Sequence, residues 1–140
     1  MKTILSLTFF FSIIMLTSCG DKVTKTLYGG WDPVAESDTA GNWGKVENMN
    51  FIMSVEGKCE EVKVIITVKG DLTNPDINMD SARCYGNRDQ LYFLDKRVGT
   101  NIYDLKLDAT KDTLTGTVSI DYVLGRQVHQ VKFARISGGE

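Results

Sequence analysis

Regular alternation of apolar and polar residues is the property of this sequence that most restricts its fold. Over residues 49–55, 62–68 and 114–122 every second side chain is apolar or glycine, and most of the intervening ones are polar. Successive side chains of a β-strand point to opposite faces, so a period of two indicates strands with one buried and one solvated face.

Turn-forming residues separate the alternating runs at intervals of roughly ten residues, as in all-β domains. No window carries a sustained apolar stripe with the 3.6-residue period of a helix, which argues against a βαβ architecture. We therefore predict an all-β fold, an antiparallel up-and-down barrel of about eight strands, with a β-sandwich as the alternative. The predicted strands lie near residues 27–34, 45–56, 60–69, 77–84, 90–96, 102–109, 113–122 and 127–136.

One long segment, from Asp32 to Gly44, lacks this alternation. We expect it to be irregular and to form a lid or a short helical turn over one end of the barrel.

The chain begins with an export signal. Lys2 precedes a hydrophobic run of 13 residues, from Ile4 to Leu16, which is the length of a signal-peptide core and shorter than the ~20 residues needed to span a bilayer. Residues 1–18 are therefore predicted to be a signal peptide.

The residues that follow, Leu16–Cys19 (LTSC), resemble the lipobox of bacterial lipoproteins. The resemblance implies that Cys19 is acylated and becomes the mature N-terminus. Residues 19–26 would then be the lipidated cysteine and a short tether, and residues 27–140 the folded domain. Multiple acyl chains hold a protein on a membrane almost permanently, because each buried methylene contributes ~0.8 kcal/mol.

The residue after Cys19 bears on localisation. In the sorting pattern of bacterial lipoproteins, an Asp directly after the acylated cysteine retains the protein in the inner membrane. This chain has Gly20 at that position. The resemblance thus implies the outer membrane. Asp21-Lys22 is a poor match to the acidic run that directs surface display, so the periplasmic face is favoured over the cell surface.

Export also bears on the other two cysteines. Once Cys19 carries lipid, Cys59 and Cys84 are the pair that remains of three cysteines. Disulfides form and persist in oxidising compartments, so we predict a bond between these two.

The two ends of the predicted domain resemble the lipocalin-like, or calycin, barrels. A Gly-x-Trp sequence, Gly29-Gly30-Trp31, lies in the first strand, and Arg135 lies in the last. In that superfamily the tryptophan lies across the barrel floor and the arginine packs on its indole. The resemblance implies that Gly29, Trp31 and Arg135 close the barrel; it rests on these residues and on topology, and the domain is shorter than a typical lipocalin.

Composition argues against several functions. With one His and two cysteines left after acylation, ligand sets for metals and nucleophile–base pairs are scarce, so we predict neither an enzyme nor a metal or other cofactor. The chain has 16 Lys and Arg against 18 Asp and Glu. A chain with this balance and no basic cluster is a poor partner for nucleic acid.

Three residues are candidates for ligand binding: Trp43, His129 and Tyr103. Trp43 lies in the irregular segment, as either a plug on the barrel mouth or an exposed contact. His129 shares a strand face with apolar residues and could line the mouth, or be merely hydrogen-bonded. Tyr103 falls on an apolar face, which indicates the interior.

Eight-stranded barrels are either filled by side chains or hold one small ligand. We expect a mostly filled barrel with any cavity near one mouth. The predicted function is non-enzymatic binding of a small apolar or amphipathic ligand by an anchored lipoprotein. The alternative is a protein-interaction or inhibitor module that meets an envelope protein through its loops.

Overall fold

A computed structural model of the protein describes residues 26–47, 49–70, 73, 76–79, 81–86, 88–97 and 99–137. The predicted signal peptide (1–18), Cys19 and all but the last residue of the tether lie outside the described residues.

The described part of the chain is built almost entirely of β-strands, with one 3₁₀ turn at Cys59–Glu61. No helix in these residues is long and apolar enough to cross a membrane. The strands are β1 (Gly29–Ser37), β2 (Trp43–Gly44), β3 (Phe51–Glu56), β4 (Lys63–Val68), β5 (Ile77–Met79), β6 (Arg83–Tyr85), β7 (Gln90–Asp95), β8 (Asn101–Leu107), β9 (Thr113–Tyr122) and β10 (Gly125–Arg135).

These strands form one curled antiparallel sheet in the order β5-β4-β3-β1-β10-β9-β8-β7-β6, and β2 pairs with β1. Most neighbours in the sheet are neighbours in sequence, as in an up-and-down meander. The exception is β1, which pairs with the last strand on one side and with β3 on the other. The predicted all-β antiparallel fold is confirmed, in the form of a half-barrel made from a single sheet.

The described residues form ten strands, where the sequence predicts eight. The predicted run 77–84 is divided into β5 and β6 by a tight turn, where the amide of Ala82 donates to the carbonyl of Met79 at 3.1 Å. The other additional strand, β2, lies before the predicted run 45–56, in the segment that the sequence predicts to be irregular.

The prediction of an irregular segment from Asp32 to Gly44 is wrong. Strand β1 runs on to Ser37, and β2 begins at Trp43. The reversal between them is short because Asp38 organises it: its Oδ1 accepts hydrogen bonds from the amides of Ala40 (2.9 Å) and Asn42 (2.8 Å). Because the Asp38 side chain accepts hydrogen bonds from the amides of its own turn, the chain reverses direction here without a longer loop or a helix.

The core occupies the concave face of the sheet. Alternate residues of β3, β7, β8 and β10 are buried there, as the sequence period predicts. The fully buried side chains with the largest volumes are Trp31, Phe93, Phe133, Leu27, Met53, Ile66, Leu91, Leu105 and Leu114.

The Trp31–Arg135 contact lies at the end of the half-barrel where β1 begins and β10 ends. The Arg135 guanidinium lies 4.3 Å from the centre of the Trp31 ring, and it donates to the carbonyls of Thr26 (2.5 Å), Tyr28 (2.7 Å) and Lys111 (2.9 Å). Trp31 is fully buried. One side chain therefore ties the N-terminal segment and the β8–β9 turn to the last strand.

Gly29 makes room for this contact. Its φ of +118° is a backbone conformation that side-chain-bearing residues rarely adopt, and a Cβ here would stand 3.2 Å from Nη1 of Arg135. Glycine adopts positive φ at no steric cost.

A disulfide and a hydrogen bond, rather than strand pairing, join the two edges of the half-barrel. Cys59 and Cys84 form the predicted disulfide, with Cα atoms 5.3 Å apart. It links the turn before β4 to β6, which lie near opposite edges of the sheet. Nearby, the amide of Leu94 donates to Oγ of Ser81 at 2.9 Å. These covalent and polar links hold the open side of the sheet.

Removing the disulfide should destabilise the fold without changing its topology. The bridge spans a sequence separation of 25 residues, and closing a loop of that length is worth about 3.5 kcal/mol in the chain-entropy model. Cys59→Ser/Cys84→Ser should lose about that free energy of unfolding in urea titrations. Dithiothreitol should lower the wild-type midpoint and leave the double variant unchanged; equal midpoints for both proteins without reductant would contradict the prediction.

Arg135→Leu should destabilise the fold far more than the same change at an exposed arginine. It removes the ring contact, worth ~0.5–2 kcal/mol, and leaves three carbonyls without their donor, at ~0.5–1.5 kcal/mol for each hydrogen bond, so we expect a loss of about 3 kcal/mol in urea unfolding. Arg126 supplies the control, since its pair with Asp121 (2.7 Å) is solvent-exposed. Arg126→Leu should leave the midpoint nearly unchanged, and similar losses for both variants would refute a special role for Arg135.

Candidate functional site

Polar side chains inside the half-barrel gather at the end opposite Arg135. His129 and Tyr103 both pair with Val118 in the sheet and so lie at one level of it. His129 precedes Arg135 by six residues in β10, which corresponds to about 20 Å along a strand. We call this end the mouth.

His129 is buried at the mouth, and one of its ring nitrogens is held by the backbone. Nδ1 lies 2.8 Å from the carbonyl oxygen of Ser37. A carbonyl can only accept a hydrogen bond, so Nδ1 is protonated and donates to it. In the neutral ring Nε2 is then an acceptor, and this buried atom has no hydrogen-bond partner among the described residues.

Glu36 is the second buried polar residue of the mouth, and the sequence did not reveal it. The pairing of β1 with β10 shifts register between Pro33 and Ala35, which is a β-bulge. A bulge inserts one residue into a strand and reverses which of the following side chains face inward. Glu36 is consequently buried opposite Val131, with 7% of its surface exposed.

The Glu36 carboxylate is poorly satisfied by the protein. Its Oε1 stands 3.8 Å from Nδ1 of His129, too far for a hydrogen bond, and this buried atom has no partner in the described part of the chain. The signal for this site was Pro33: proline inside a strand is confined to edges and bulges, so it could have indicated the change of face.

Trp43 lies at the rim of the mouth, in β2, where it pairs with Ser37. Nearly half of its surface is exposed, at 46%, and the ammonium of Lys132 lies 5.3 Å from its ring centre. Of the two readings of Trp43, a plug and an exposed contact, this position matches the exposed contact.

These residues share one cavity of about 360 Å³. The structure therefore brings together two of the three predicted ligand-binding residues, Trp43 and His129, and adds Glu36. The charged side chains that line the cavity are three carboxylates and one lysine. The cavity is lined by Glu36, Ser37, Asp38, Asn42, Trp43, Gly44, Lys45, Glu47 and His129.

Tyr103, the third candidate, lies deeper and outside the lining of this cavity. It is buried and stacks on Phe93 with ring centres 4.5 Å apart. Burial is the main reason that its pKa lies well above the ordinary value, and the negative charges of Asp95 and Glu36 add to the increase, whereas Arg97 opposes it. Tyr103 thus belongs to the core just inside the polar mouth.

An ion pair completes the polar groups at this end. Asp95 is almost fully buried and receives the guanidinium of Arg97, with Nη2 to Oδ2 at 2.5 Å and Nε to Oδ1 at 2.9 Å. Arg97 also lies over Phe51, 5.3 Å from the ring centre. Because Asp95 and Arg97 pair with each other, the buried acceptors without partners that the described residues show at this end are those on the Glu36 side and Oδ1 of Asn101.

Within the part of the chain that the structure describes, no three His, Cys, Asp or Glu side chains are grouped so that they could hold a metal ion. Comparisons with protein-family models, with curated proteins and with solved structures find no match for this chain.

Proposed function

We propose that this protein is a lipid-anchored binding protein that holds a small amphipathic ligand in its mouth and carries out no catalysis. The observation that carries the proposal is the pair of buried acceptors without partners, Oε1 of Glu36 and Nε2 of His129, beside a cavity of ligand size. Buried polar groups are normally hydrogen-bonded, and an exception at a cavity points to a ligand that supplies the bond.

The character of the cavity supports an amphipathic ligand. Its volume of about 360 Å³ falls in the ~300–1,000 Å³ range of small-molecule sites. Trp43 offers an apolar ring at the rim, whereas Glu36 and His129 offer polar atoms below it. A ligand with one apolar and one polar part would match this arrangement.

The cellular setting in this proposal comes from the sequence. The signal peptide and lipobox support export and acylation of Cys19, with Gly20 favouring the outer membrane and its periplasmic face. The Gly-x-Trp and arginine resemblance supports relation to the lipocalin-like barrels, whose members include ligand carriers. The Trp31–Arg135 contact of 4.3 Å is in keeping with that relation.

A second candidate function, binding to an envelope protein, is favoured by one specific observation. The hairpin of β9 and β10 continues past its neighbours, because β8 pairs only as far as Ser119 and β1 only as far as Val131. At its tip Val123 and Leu124 are fully exposed. Adjacent exposed apolar residues on a projecting ribbon are suited to contact with a partner.

Native mass spectrometry should reveal the ligand. Residues 20–140, purified from the periplasm of the native host, should carry a reproducible adduct that denaturation releases. Trp43→Ala should retain it at least about fivefold more weakly, since loss of an aromatic contact costs ~1 kcal/mol.

The hairpin tip provides the matched control for this experiment. Val123→Ser/Leu124→Ser alters an apolar surface remote from the cavity and should keep the adduct. A bare polypeptide mass for wild type would count against the ligand-binding function. Loss of a cross-linked envelope protein in the tip variant alone would then favour the second candidate.

A further inference from the structure

We propose that the mouth cavity recognises the protonated amine of its ligand, with Glu36 as counter-ion and His129 as a second acceptor. This inference rests on the proposed binding function and adds the chemical class of the ligand: a small primary amine with an apolar body.

Hydrogen-bond chemistry gives the first reason. The carbonyl of Ser37 accepts from Nδ1 of His129, so Nε2 of the neutral ring is left with a lone pair. Oε1 of an ionised Glu36 also only accepts. Both atoms are buried, and neither has a partner among the residues that the structure describes. A ligand that satisfies both at once must donate at least two hydrogen bonds, and an ammonium group has three N–H donors.

Charge gives the second reason. Glu36, Asp38 and Glu47 line the cavity against a single cation in the lining, Lys45. Hydrogen bonds, chiefly from the Asn42 side chain, keep the pKa of Asp38 below its usual value, so this carboxylate is ionised at neutral pH. A buried carboxylate without a partner is unfavourable, and a cation that binds beside it removes that cost.

The rim supplies the third reason. The ring of Trp43 already has a Lys132 ammonium at 5.3 Å, so its π-face is compatible with positive charge. With 46% of its surface exposed, Trp43 also has apolar area left for the body of a ligand. The cavity therefore combines acceptors at depth with an aromatic surface at the rim.

The test compares three probes that share a phenyl group and differ in the polar end: 2-phenylethylamine, 2-phenylethanol and 3-phenylpropanoate. Full-length mature protein in a neutral detergent is titrated with each by isothermal calorimetry at pH 7.5, against detergent alone. The amine should bind at least about tenfold more tightly than the alcohol, as expected for hydrogen bonds to a charged group, and the carboxylate should not bind measurably.

Two isosteric variants locate the effect. Glu36→Gln should weaken amine binding about tenfold or more and leave alcohol binding nearly unchanged. Glu61→Gln removes the same charge from an exposed position outside the cavity lining and should change amine binding less than about threefold. Urea unfolding of both variants verifies that each is folded.

Any of four results would overturn the amine proposal: equal affinity for the amine and the alcohol, tighter binding of the carboxylate, equal losses of affinity in the two variants, or no binding of any probe. Failure here is separable from failure of the binding function: an adduct on the native protein that Glu36→Gln retains leaves a ligand carrier of another class, whereas absence of any adduct removes both.

Discussion

The cation–π contact between Trp31 and Arg135 is the interaction on which the rest of the structure depends. The pairing of β1 with β10 joins the first described strand to the last, across most of the described chain. Bringing the first strand beside the last costs loop-closure entropy that local hairpins do not. Arg135 offsets this cost at one point, where it meets the Trp31 ring and three backbone carbonyls.

The same contact also sets the register from which the mouth is built. Trp31 pairs with Arg135, and pairing continues without a break to Pro33 and Phe133. Without a bulge, residue 37 would face inward and residue 36 outward, because side chains alternate. The extra residue at the bulge reverses this order and buries Glu36 beside His129. A proline that cannot donate to the sheet is tolerated at this position for the same reason.

Much of the fold follows from the sequence because the period of two is a direct consequence of strand geometry. Strands β9 and β10 lie within two residues of their predicted bounds, and the disulfide follows from the expected compartment. The prediction lost accuracy where local contacts override the pattern: Asp38 satisfies its own turn, so the segment expected to be irregular is mostly strand. His129 and Trp43 could be named from residue type alone. Glu36 could not be predicted to face inward. A bulge depends on how two strands pair, so the alternation within one strand does not show which residues lie inside after it.

In the proposed function, stability and recognition belong to opposite ends of the same sheet. At the end opposite the mouth Trp31 is buried, and Arg135 donates to three backbone carbonyls and lies 3.8 Å from the carboxylate of Asp112, so these contacts contribute to the free energy of unfolding without a ligand. The mouth contains buried acceptors that the protein leaves unpaired, each unfavourable by ~1–3 kcal/mol. A half-barrel can retain such groups only if the rest of its core and its disulfide hold the sheet. If the mouth binds a ligand as proposed, the separation of about 20 Å along β10 keeps that site away from the Trp31–Arg135 contact.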